Sequence, residues 1–173
     1  MRVRRVVLTV MLCLLGGLSP AAAQPKKPSG KPAPIKLEDP ELYFAFFRSH
    51  DAVDKQIQAS GPAAATQLSS TTAALYGISV GDLPKLTAQT RTFMTNLAAW
   101  SVQEQAYVAQ QRAAKKLPDM KTLVAYRRQR QRLVMNAHGG IHGALTATSW
   151  AGLYGYINGG FKTGLKQATG AAK

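Results

Sequence analysis

Four polar residues stand where helical periodicity asks for apolar ones, and their types could do chemistry. His50 and Asp54 lie four residues apart within the arc set by Tyr43, Phe46, Phe47, Val53 and Ile57. Glu104 falls in line between Trp100 and Tyr107, and Arg130 shares a side with Leu123 and Ile141. An imidazole, two carboxylates and a guanidinium in one layer could shuttle protons or hold a ligand. Charges that face a core are costly unless paired and hydrogen-bonded, so the same layer also reads as a structural network that fixes helix register. The break at Leu117 lies 13 residues after Glu104 and 13 before Arg130. Folding back there brings the two to one level and predicts a Glu104–Arg130 salt bridge, at least partly buried.

Other chemistries find less support. His50, Asp54 and Glu104 are metal-ligand types, but a carboxylate-bridged di-iron bundle needs Glu-x-x-His pairs on two helices, and the chain contains none. An arginine in the layer would also repel a cation. His138 and His142 have the i,i+4 spacing of a metal pair, yet Gly139-Gly140 interrupts them and no carboxylate is near in sequence. They read as loop or surface histidines. There is no Cys-x-x-Cys-His for covalent haem, no Gly-x-Ser-x-Gly elbow and no phosphate-binding glycine loop. The expectation is therefore no catalytic residue, no metal and no cofactor.

Between Arg112 and Arg132 lie eight cations and one acid, Asp119. Lys121, Arg128 and Arg132 share one helix face, away from the apolar stripe, and are candidates for binding an anion. No aromatic residue is interleaved on that face, so base stacking lacks a platform and nucleic acid is not expected.

The elements that carry these residues are helical. Asp39 and Pro40 open the first helix, and Ser60-Gly61-Pro62 stops it. A second, Ala/Thr-rich helix spans about 63–76, with Ala65, Leu68, Thr72 and Leu75 on one side and Gly77 at its end. Asp82 caps a third, whose stripe is Leu86, Phe93, Leu97, Trp100 and Tyr107. A fourth carries Leu123, Leu133, Val134, Ala137 and Ile141 and ends near His138-Gly139-Gly140. Thr146, Thr148 or Ser149 caps a fifth, with Trp150, Leu153, Tyr154, Ile157, Phe161 and Leu165 on its apolar side. Gly152, Gly155 and Gly159 lie opposite that stripe, either as a close-approach face or as a face open to solvent. No segment alternates as a strand would. The fold class is all-α, a single antiparallel bundle of four to five helices.

The N-terminus has a different logic. Arg2, Arg4 and Arg5 precede an apolar run from Val6 to Leu18, followed by Ala21-Ala22-Ala23. That order predicts a cleaved secretory signal over 1–23. A Pro/Lys-rich flexible leader follows at 24–36, then the bundle at 37–167 and a frayed tail at 168–173. The chain's one cysteine, Cys13, lies inside the signal, so the mature chain has no disulfide. A small exported domain without cysteines suits a bacterial envelope, periplasmic or secreted. No segment of the mature chain is apolar enough to span a membrane.

The formal charge of +14 over 173 residues is unevenly spread. Leu37 to Glu104 carries four cations against seven acids, and Gln105 to Lys173 eleven against one. The first expectation is a non-enzymatic exported protein that acts by binding or scaffolding. The second is an electrostatic binder of anionic lipid, lipopolysaccharide or another polyanion. The third is an enzyme or metalloprotein built on the His50/Asp54/Glu104/Arg130 layer. Partners would be anionic envelope components or another protein.

Overall fold

A computed structural model describes residues 40–170, so the proposed signal, the leader and Asp39 lie outside the described residues. Among the described residues every regular element is helical. The order is α1 (Pro40–Ala59), α2 (Pro62–Tyr76), α3 (Leu83–Ala113), α4 (Met120–Ala144) and α5 (Ala147–Tyr156). A π turn (Ile157–Phe161) continues α5 into α6 (Lys162–Gly170). The bundle centres on α1, which touches α2, α3, α4 and the π turn.

The α1 sequence explains that central place. Leu42, Tyr43, Phe46, Phe47, His50, Val53 and Asp54 recur at three- and four-residue steps and are all buried. Phe46, wholly buried, has the rings of Phe47, His50, Tyr76, Tyr156 and Phe161 within 6.4 Å, mostly edge to face. One aromatic residue thus ties α1 to α2, α5 and the π turn.

Local signals end the helices. At the end of α2, Gly77 takes the left-handed conformation at φ 69°, where a side chain would be strained. Its N–H donates to the Ala74 carbonyl, and that of Ile78 donates to Ala73, a Schellman arrangement. Ala73 and Ile78 are both buried, so the stop is also anchored by packing. The end of α3 makes the same two bonds, Lys115 to Arg112 and Lys116 to Gln111, but with Lys115 in the left-handed position at φ 53°. There the residue in the place of Ile78 is Lys116, and Leu117 after it is 92% exposed.

Helices α3 and α4 reach far beyond the rest. No residue of α3 is buried after Trp100, and none of α4 before Val134. At 1.5 Å per residue, the 31 residues of α3 span about 46 Å, against about 30 Å for the 20 of α1. Residues 101–133 therefore form a two-helix arm. Polar and aromatic contacts pin it: the Trp100 indole N–H donates to the Tyr126 carbonyl at 3.2 Å, and the Asp119 backbone N–H donates to the Tyr107 hydroxyl at 2.9 Å. The Tyr107 and Tyr126 rings lie 5.8 Å apart.

Several expectations need correction. Helix α4 does not stop at Gly139-Gly140 but continues through both glycines to Ala144. The apolar face of α2 is rotated: Thr72, Ala73 and Tyr76 are buried, while Leu75 is exposed. The last helix is interrupted by a π turn at Gly159-Gly160. Its glycines also divide. A Cβ on Gly152 would lie 1.9 Å from the Gly77 carbonyl oxygen, whereas Gly155 and Gly159 have open space around them.

Candidate functional site

The polar layer anticipated from the sequence does not assemble as one group. His50 and Asp54 are buried, as their position in the α1 stripe requires. Their partners come from α3. The His50 Nε2 lies 3.1 Å from the Thr87 hydroxyl, and Arg91 donates to both Asp54 oxygens, at 2.8 and 3.0 Å. Gln58 donates to Asp54 as well, at 2.7 Å. Each α1–α3 pair spans the same 37 residues, so the two helices run in the same direction and match their four-residue steps. Arg91 was not anticipated, although a buried carboxylate demands a cation and Thr87/Arg91 repeats the spacing of His50/Asp54.

The expected Glu104–Arg130 bridge is overturned. Trp100 meets Tyr126, Tyr107 meets Asp119, and the Gln89 side chain lies against Gly140. That register sets Glu104 level with residues 123–125, leaving Arg130 displaced by about six residues, roughly 9 Å along the helix. Counting equally from Leu117 failed because the pairs that meet are centred near residues 113–114, so α4 is staggered against α3 by several residues. Arg130 instead donates to Glu41 and lies over the Phe44 ring, 5.1 Å from its centroid. Glu104 is half-buried on a strip of α3 that runs on through Val108 to Arg112.

Electrostatics separate the buried groups further. Burial pushes His50 down to about 4, against the upward pull of Asp54 and Asp51, so the imidazole is neutral at pH 7. For Asp54 burial acts upward, but the hydrogen bonds from Arg91 and Gln58 hold its carboxyl below the usual range. The His50 Nδ1, the Tyr76 and Thr90 hydroxyls and the Asn158 Oδ1 are buried without a hydrogen-bond partner among the described residues. Among the described residues, no three His, Cys, Asp or Glu side chains converge to hold a metal ion.

A second polar cluster escaped sequence reading. Asp82 does not cap α3 with its side chain. Its buried carboxylate accepts from Lys85 at 2.8 Å and from the Thr146 hydroxyl at 2.8 Å, tying the start of α3 to the start of α5. The bonds from Lys85, Ser149 and Thr146 hold its carboxyl well below the usual carboxylate range. Nearby, the Ser79 N–H donates to the Ser149 hydroxyl at 3.1 Å. Thr146 meanwhile caps α5, accepting from the Ser149 N–H at 3.3 Å.

His138 and His142 lie in a helix rather than a loop, with His138 half-buried and His142 at the surface. They lie one turn apart in α4, with edge-on contacts to the Trp150 ring at 5.0 and 4.8 Å. The Tyr43 ring meets His138 from the other side at 4.7 Å. This pair is packing for an indole.

The basic residues do come together. Lys121, Arg128 and Arg132 are exposed along one face of α4, on a strip completed by Val124, Ala125 and Gln129 of the same helix. None of the three makes an ion pair among the described residues. The spacing of seven and four residues puts their charges in a row down the arm. Among the described residues no helix is long and apolar enough to cross a membrane. Comparison of the chain with protein-family models, with curated proteins and with solved structures finds no match.

Proposed function

We propose that the chain is an exported, non-enzymatic binding protein that presents the basic face of its α3–α4 arm to a polyanion of the cell envelope. The observation that carries this reading is the row Lys121, Arg128 and Arg132 along one exposed face of α4, free of acidic partners among the described residues. Guanidinium groups at such spacing can each take a phosphate or sulfate oxygen pair. No residue of the arm is fully buried, and Lys121, Arg128 and Arg132 are exposed, whereas Arg130 turns back to Glu41. The signal-like residues 1–23 supply the export part of the proposal.

A binding role also fits the buried layer. Both Asp54 oxygens are held by Arg91, and His50 is neutral among aromatic rings, which suits a register-fixing network. The test uses dextran sulfate as the probe, titrated at rising salt. Binding should weaken steeply as salt rises, and the triple variant Lys121→Gln, Arg128→Gln, Arg132→Gln should lose at least tenfold in affinity. Salt-independent binding, or none, would remove the proposal.

A further inference from the structure

The end of the arm joins two properties that seldom meet on a solvated turn. It is locally ordered: α3 closes with a Schellman pair of hydrogen bonds, and α4 opens with the Asp119 carboxylate accepting from the Thr122 N–H and hydroxyl, each at 2.9 Å. Tyr107 fixes the Asp119 backbone from the side. Yet this ordered turn holds its apolar residues outward, with Leu117 92% and Met120 69% exposed. At the end of α2 the same type of stop folds its apolar residue Ile78 into the core. Around the tip stand Lys115, Lys116 and Lys121, and its one acid, Asp119, is occupied in capping α4.

We propose that this tip is a membrane-surface wedge, in which Leu117 and Met120 enter the headgroup–acyl boundary of an anionic bilayer while Lys115, Lys116 and Lys121 sit among the lipid phosphates. The inference rests on the polyanion reading above and names the lipid surface as its target. Apolar side chains ahead of a collar of lysines match the layering of a bilayer, where long cationic stems reach back to the phosphates. A stable protein interface takes roughly 20–30 residues a side, far more than one turn between two helices offers. The position at the end of a long arm lets the tip meet a flat surface without the body obstructing it.

The test compares the full chain on vesicles of phosphatidylcholine and phosphatidylglycerol with its binding to dextran sulfate. Leu117→Ser with Met120→Ser should weaken vesicle binding at least tenfold and leave dextran sulfate binding within twofold. Leu117→Phe should restore or strengthen vesicle binding. Circular dichroism should match the parent, since neither residue is buried. Unchanged vesicle binding by the double variant would overturn the wedge. So would binding to dextran sulfate alone, with the polyanion reading intact. Binding to neither probe would overturn both. Self-association that disappears in the double variant, without vesicle binding, would assign the tip to a second copy and sink the lipid proposal.

Discussion

The body of the bundle and its arm share the two long helices α3 and α4, yet they treat charge and apolar surface in opposite ways. In the body every acid among the described residues is in an ion pair: Glu41 with Arg130, Asp51 with Lys55, Asp54 with Arg91, and Asp82 with Lys85. Its aromatic rings converge on Phe46. The arm, residues 101–133, carries eight cations against two acids, and Leu117 and Met120 stand in solvent. Arg130 is the residue that links the two regions, reaching from the base of the arm to Glu41 of α1. Folding free energy is thus concentrated in the body, and surface chemistry in the arm. Substitutions should divide along the same line.

The largest expected loss is in the body. Phe46→Ala should cost about 3–5 kcal/mol in urea unfolding, because it removes a ring that touches three other elements. A loss below about 1 kcal/mol would mean that the arm or another region sets the stability.

The second effect comes from pH. His50 is neutral when folded, with its pKa pushed from 6.5 to about 4, so the unfolded chain takes up the proton first as pH falls. Stability should be complete above pH 6.5 and decline by about 3 kcal/mol on the way to pH 4. Asp54, with its carboxyl held low, adds a loss of the same sign at still lower pH. His50→Phe should flatten the slope between pH 6.5 and 4, measured by denaturation at stepped pH. An unchanged slope would place the titrating group elsewhere.

The glycines give a smaller, two-signed contrast. Gly152→Ala would drive a methyl group into the Gly77 backbone and should destabilise by about 1–3 kcal/mol. Gly155→Ala meets nothing and should stabilise α5 by up to about 1 kcal/mol. Thermal melts of the two variants should move in opposite directions; equal shifts would remove the close-approach argument.

The smallest effect belongs to the arm. Glu104→Gln should change stability by less than about 1 kcal/mol, since Glu104 forms no ion pair with Arg130. A larger loss in urea unfolding would mean that Glu104 does support the body.

The helices were legible because their signals are local. Pro40, Gly61-Pro62, Gly77 and Thr146 mark ends that a periodic pattern already suggests. His50 and Asp54 could be placed inside for the same reason. Their partners were not legible, because register depends on where the turn takes up residues. A register centred near residues 113–114, rather than on Leu117, moved Arg130 away from Glu104 and gave it to Glu41. Asp82 looked like a cap because caps are read from their own helix. Besides the nearby Lys85, its partners Thr146 and Ser149 lie 64 and 67 residues away. The arm was hidden for a related reason: its residues keep an apolar stripe, and periodicity cannot show that no third helix is there to cover it.

The π turn at Ile157–Phe161 has a consequence for how the end of the chain tolerates change in length. Leu153, Ile157, Phe161 and Leu165 follow one another at a constant step of four. An α-helix of 3.6 residues per turn would carry each one about 40° past the last. A turn that closes on the fifth residue absorbs that surplus, and Ile157 and Phe161 both stay in the core. The segment behaves as a sentence with one spare letter, and Gly159-Gly160 is where the letter is kept. Removing either glycine should yield an uninterrupted α-helix in which Phe161 and Leu165 lie seven and eleven residues after Leu153, each within about 20° of it. The chain would stay helical and Leu165 would keep the face shared by Leu153 and Phe161, so this segment should tolerate the loss of one residue.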